Sequence, residues 1–80
     1  MDITFTREHK GAEIIIVVED DIITTSKIYN KNGECVEVND ITDENGNDVV
    51  FSAKNYYAVL DMAKANVDTK YAVEVATAER

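Results

Sequence analysis

The sequence predicts a small α+β domain. Its parts are an antiparallel sheet of four to five strands, one helix at about 52–66 packed on one sheet face, and a further strand near the C-terminus. Three observations carry that reading. Ile14-Ile15-Ile16-Val17-Val18 is an unbroken β-branched run, which marks a strand with apolar side chains on both faces. Asn-Gly pairs at 32–33 and 45–46 mark tight turns between extended segments. Beyond Ser52 the apolar period lengthens from two to that of a helix, with Tyr56, Val59, Leu60, Ala63 and Val67 forming one stripe. The 80 residues are 45% hydrophobic, which gives a globular composition and room for one domain over 1–80.

The elements follow in order. Ile3 and Phe5 alternate with Thr4 and Thr6, so residues 1–7 read as a strand. Glu8-His9-Lys10-Gly11 is a polar break, and 12–19 is the central strand. Asp20-Asp21 makes a short turn, because Asp tolerates left-handed backbone geometry. A third strand covers about 22–31. Asn32-Gly33, read as a type I′ turn, places Lys31 opposite Glu34 and Tyr29 opposite Val36, both favourable cross-strand pairs. The fourth strand runs to about Ile41. Asn45-Gly46 returns the chain into a short strand at Val49–Phe51, which would set Asp43 opposite Asp48.

Ser52 is placed to cap the helix, with Phe51 and Tyr56 at the spacing of a hydrophobic staple and Asn66 at the C-terminal end. Tyr71, Val73 and Val75 alternate with Ala72, Glu74 and Ala76, which reads as a final strand; an Ala-rich second helix is the alternative. The helix can cover only one side of the 14–18 strand. The other side calls for curvature, a loop or a second chain, and a homodimer through that second sheet face is the preferred expectation. Ala58 and Ala65, with Met62 nearby, lie away from the Tyr56 stripe, where small residues could admit a partner.

Charge narrows the function. The chain holds 16 Asp and Glu against 8 Lys and Arg. The excess lies in residues 1–53, which carry 12 acids and 4 bases, whereas 54–80 is balanced. Glu34, Glu37, Asp40, Asp43, Glu44 and Asp48 fall in a stretch without Lys or Arg. Binding to nucleic-acid phosphates or anionic membrane needs the opposite sign, so neither is expected. No window approaches a membrane span, and Met1–Phe5 lacks the basic and apolar regions of a signal peptide. The lone Cys35 leaves no internal disulfide and points to a reducing, cytoplasmic setting.

Catalytic constellations are missing. Cys35 and His9 would have to meet in space, and Glu34 and Glu37 beside the thiol favour its protonated, inert form. His9 reads as a solvated loop residue. Zinc would need more than one Cys and one His. The 40–48 loop fails as a calcium loop, because aligning Gly46 with the loop glycine puts Ile41 and Ser52 at the two end-ligand positions. The three glycines are isolated, so no phosphate loop exists. No catalytic, cofactor or metal residues are therefore expected.

The expectation is a non-enzymatic domain that binds a protein partner with a basic surface. The candidate contacts are Glu34, Glu37, Asp40, Asp43, Glu44, Asp48 and Tyr57, the helix aromatic rotated off the stripe. In size and charge the chain resembles accessory proteins encoded by bacteriophages and mobile elements, some of which imitate the charge of DNA. Glu34, Glu37, Asp40 and Asp43 recur every third residue, however, which alternates faces along a strand instead of forming a phosphate-like row. The alternative is a self-assembling structural subunit.

Overall fold

The computed structural model describes residues 2–71. The sheet is antiparallel, in the order β1 (Ile3–His9), β2 (Ala12–Glu19), β3 (Ile22–Tyr29), β4 (Cys35–Asp40), with β5 (Val49–Val50) also paired to β3. One helix, α1 (Ala53–Asn66), crosses one face and packs mainly on β2 and β3. This is the predicted α+β architecture.

β2 is central, as its β-branched run requires. Ile14, Ile16 and Val18 are fully buried against α1, together with Ile23 and Ile28 of β3 and Tyr56, Val59, Leu60, Ala63 and Val67. The predicted helical stripe is thus the core-facing stripe. Ile15 and Val17 point to the open face and are half-buried. Their row neighbours there are Thr6, Lys27 and Val38 around Ile15, and Thr4, Thr25 and Asp40 around Val17. The open face is therefore a mixed surface, partly screened by threonines and a lysine stem.

The turns depart from the expectation. Type I′ geometry needs positive φ at both central residues. It occurs at Lys10-Gly11, with φ of 52° and 85°, and at Asp20-Asp21, with 51° and 63°. At Asn32-Gly33 only the glycine is positive, at 83°. The loop has three residues instead of two. The Asn30 carbonyl accepts the Gly33 N–H at 2.9 Å, and its side-chain oxygen accepts the N–H groups of Asn32 and Glu34. This is a type I turn closed by a left-handed glycine. Lys31 and Glu34 are consequently not opposite each other, and Tyr29 pairs with Cys35, not Val36, with the register shifting beside it.

The 43–47 loop repeats the same device. The Asp43 carbonyl accepts the Gly46 N–H, its carboxylate accepts the N–H groups of Asn45 and Asn47, and its own N–H donates to the Asn47 carbonyl. The expected return onto β4 does not occur. Val49 and Val50 pair with Ile23 and Ile22 of β3, which leaves Asp43 and Asp48 out of register with each other.

Ser52 caps α1, its hydroxyl accepting the Asn55 N–H at 3.1 Å. Phe51 and Tyr56 close the staple with ring centroids 6.4 Å apart, and Phe5 joins them at 4.8 Å from Tyr56. Asn66 does not end the helical path. The chain widens into a π-helical turn, Val67–Tyr71. There Thr69 donates its hydroxyl to the Ala65 carbonyl at 3.0 Å, in competition with the ordinary ladder. Tyr71 lies in this turn, not in a strand; the rest of the expected C-terminal strand, and its helical alternative, fall outside the described residues.

Candidate functional site

The topology gathers carboxylates at one end of the sheet. The Asp20-Asp21 turn closes β2 onto β3, and the Asp20 N–H donates to the Asp2 carboxylate at 3.2 Å. Glu19 accepts the Thr24 hydroxyl at 3.0 Å. On β4, Asp40 stands opposite Thr25, and the next N–H, of Ile41, donates to the Thr24 carbonyl at 3.0 Å. The loop beyond carries Asp43 and Glu44 and returns through Asp48 to Val49, opposite Ile23. Asp2, Glu19, Asp20, Asp21, Asp40, Asp43, Glu44 and Asp48 therefore crowd around the first residues of β3, and all are exposed. These segments contain no Lys or Arg; the first turn of α1, tied to them by the Phe51 N–H on the Asp21 carbonyl at 2.7 Å, adds Lys54.

Among the described residues, no three His, Cys, Asp or Glu side chains are grouped to hold a metal ion. The acids are spread over strand ends and turns, so they create a negative field and not a chelating pocket.

The opposite end is charge-paired. Asp68 Oδ1 lies 2.9 Å from both His9 Nε2 and Lys10 Nζ. Hydrogen bonds from Lys10 and then His9 hold the Asp68 carboxyl below its usual value. His9 is thus the last residue of β1, tied to the π-helical turn, and not the solvated loop residue expected.

Glu37 projects from β4 toward the helix side, with its side chain only 11% exposed. It accepts from Asn39 at 2.7 Å, Asn66 at 2.8 Å, Lys70 at 3.1 Å and the Tyr71 hydroxyl at 3.2 Å. Burial pushes its carboxyl up, but the four donors more than offset this and hold it below the ordinary value. Burial and then the Glu37 charge raise the Tyr71 hydroxyl.

The seven residues proposed from sequence are therefore divided. Asp40, Asp43, Glu44 and Asp48 belong to the acidic end. Glu34 is exposed at the other end, in the β3–β4 loop. Glu37 is engaged inside the fold. Tyr57 is 59% exposed on α1, beside Tyr56 and hence toward β1, away from β4. The sequence reading missed Asp2, Glu19, Asp20 and Asp21. The signal was available in the Glu-Asp-Asp run, once the strand order brings the 40–48 loop beside it.

Cys35 and His9 lie on opposite sheet edges, separated by two strands and so by roughly 14 Å. An open depression of about 440 Å³ lies between the β1–β2 and β3–β4 turns, lined in part by Glu8, Glu13, Tyr29 and Lys31. It holds no nucleophile beside a base. No described helix is long and apolar enough to cross a membrane. Comparison with protein-family models, with curated proteins and with solved structures gives no match.

Proposed function

We propose that the chain is a non-enzymatic binding domain whose acidic end receives a cationic surface of a protein partner. The observation that carries this reading is the convergence of eight exposed acids from Asp2, the β2–β3 turn and the 40–48 region, with no base in the same segments. Such a field speeds encounter with a basic partner and makes the association salt-sensitive. The acids come from strand ends and turns, not from alternate positions on one strand, so the surface is a patch and not a phosphate-like row. A reducing, cytoplasmic setting belongs to this reading and rests on the lone, exposed Cys35.

Titration with an arginine-rich peptide, followed by fluorescence anisotropy, tests the proposal. The affinity should fall steeply with added salt. Combined Asp20→Asn, Asp21→Asn and Asp48→Asn should weaken it by about tenfold or more, with each lost contact contributing a fraction of the change. Glu34→Gln, at the paired end, should leave it unchanged. Binding that ignores salt and the triple substitution would overturn the assignment.

A further inference from the structure

The two edges of the sheet differ in how open they are to another strand. β4 is shielded: its register is broken at Ile28/Tyr29, and the Tyr71 hydroxyl, which donates to Glu37, sits 3.4 Å from its Val36 carbonyl. Irregularity and covering groups of this kind discourage edge pairing. β1 has neither. Its register with β2 runs without a shift from Ile3↔Val18 to His9↔Ala12.

His9 and Ala12 flank a two-residue turn, so they form a hydrogen-bonded pair. Antiparallel alternation then turns the main-chain groups of Arg7, Phe5 and Ile3 toward β2. Those of Thr4, Thr6 and Glu8 turn outward, and among the described residues no strand meets them. The Thr6 carbonyl instead accepts the exposed Arg7 guanidinium at 2.9 Å.

We infer that this edge pairs, antiparallel, with the β1 edge of a second copy about a two-fold axis at Thr6. A symmetric pairing must keep same-face residues opposite each other, so the axis falls on a residue. Centring on Phe5 would set Asp2 against Glu8 of the second copy. Centring on Arg7 would set two Arg7 side chains together. Centring on Thr6 opposes Thr4 with Glu8 and Phe5 with Arg7, brings Asp2 near Lys10 just beyond the strand ends, where Lys10 also holds Asp68, and leaves no like charges facing. Opposite charges and Thr–Thr neighbours are favourable cross-strand pairs, whereas like charges are costly. The outward groups of Thr4, Thr6 and Glu8 then all find partners.

A second feature points to the same edge. Met62 and Asn66 lie on the flank of α1 toward β3 and β4, where they line a groove with Ser26 and Asn39. Tyr57 is on the opposite flank. Its ring is 5.2 Å from that of Tyr56, which lies on Phe5 of β1. Continuing the sheet past β1 places the exposed Tyr57 rings of both copies on one side, flanking the axis. Interfaces favour such aromatics. The seam shares Asp2 with the acidic end, but its axis at Thr6 and the edge groups of Thr4, Thr6 and Glu8 lie away from that end.

Sedimentation equilibrium of the full chain tests it. The unaltered chain should be dimeric at micromolar concentration. Thr6→Lys and Thr6→Asp, each opposing like charges on the axis, should weaken self-association by about tenfold or more. An equal mixture of the two should restore the dimer, because opposite charges then face each other. A measurement without substitution runs in parallel: on dilution below the dimer midpoint, the Thr4, Thr6 and Glu8 amides should lose hydrogen-exchange protection. A monomeric unaltered chain, a dimer that either substitution leaves intact, a mixture that stays monomeric, or concentration-independent exchange at those amides would overturn the inference.

Discussion

At the end of the sheet that carries the β1–β2 turn, Asp68 meets His9 and Lys10, and nearby Glu37 collects four donors. At the end that carries the β2–β3 turn, eight acids face water with no base in their own segments. The same residue types do different work at the two ends. At the first, carboxylates tie the π-helical turn to both outer strands and so fix the path of the chain beyond α1. At the second, Asp2, Glu19 and Asp43 accept hydrogen bonds from nearby turn and strand groups, and the carboxylates stay exposed to water. The net charge of the chain is thus a local property of one end, not a uniform coating.

The comparison breaks most readily at Glu37. Glu37→Ala leaves Asn39, Asn66, Lys70 and Tyr71 without their acceptor and should cost about 2–3 kcal/mol in denaturant unfolding. Glu44→Ala, at the acidic end, should stay within about 0.5 kcal/mol. Similar losses at both positions would erase the distinction. Because the Glu37 carboxyl is held below its ordinary value of 4.5, its contribution is complete above that pH and disappears as pH falls through the lower, folded-state value. Glu37→Gln should therefore flatten the acid side of the stability curve, as read by thermal melts at stepped pH.

The two repeated loops give a smaller effect. Gly33 and Gly46 have φ of +83° and +81°, with no atom within 4 Å of an added Cβ. Alanine there meets backbone strain but no clash, so each substitution should cost about 1 kcal/mol, and the two should cost the same. Unequal costs would show that the loops are not equivalent. Tyr56→Phe has the opposite sign. The Tyr56 hydroxyl is buried without a hydrogen-bond partner, so removing it should be neutral or stabilise by up to about 1 kcal/mol in the same assay.

The sequence made the core and the helix readable because both are periodic. The β-branched run of β2, the Tyr56–Val67 stripe and the Ser52 cap each declare themselves within a few residues. The turns were less legible, since a left-handed glycine serves both a two-residue and a three-residue hairpin. What separates them is the Asx residue three positions earlier, Asn30 in one loop and Asp43 in the other, whose side chain satisfies the loop N–H groups. The pairing of β5 with β3 was hidden, because alternation identifies a strand without naming its neighbour. The acidic end needed that pairing to become visible. Asp68 lies 59 residues from His9, and no local pattern joins them.

On the proposed function, the strand ends and turns of the acidic end form the contact surface. Titrating the ¹⁵N-labelled chain with an arginine-rich peptide, and following amide shifts, tests it most directly. Shifts should be confined to Asp2, Glu19–Asp21 and the 40–48 segment and collapse at high salt, with Glu34, Asp68 and Lys70 unmoved. Shifts centred on the paired end, or none at low salt, would contradict it.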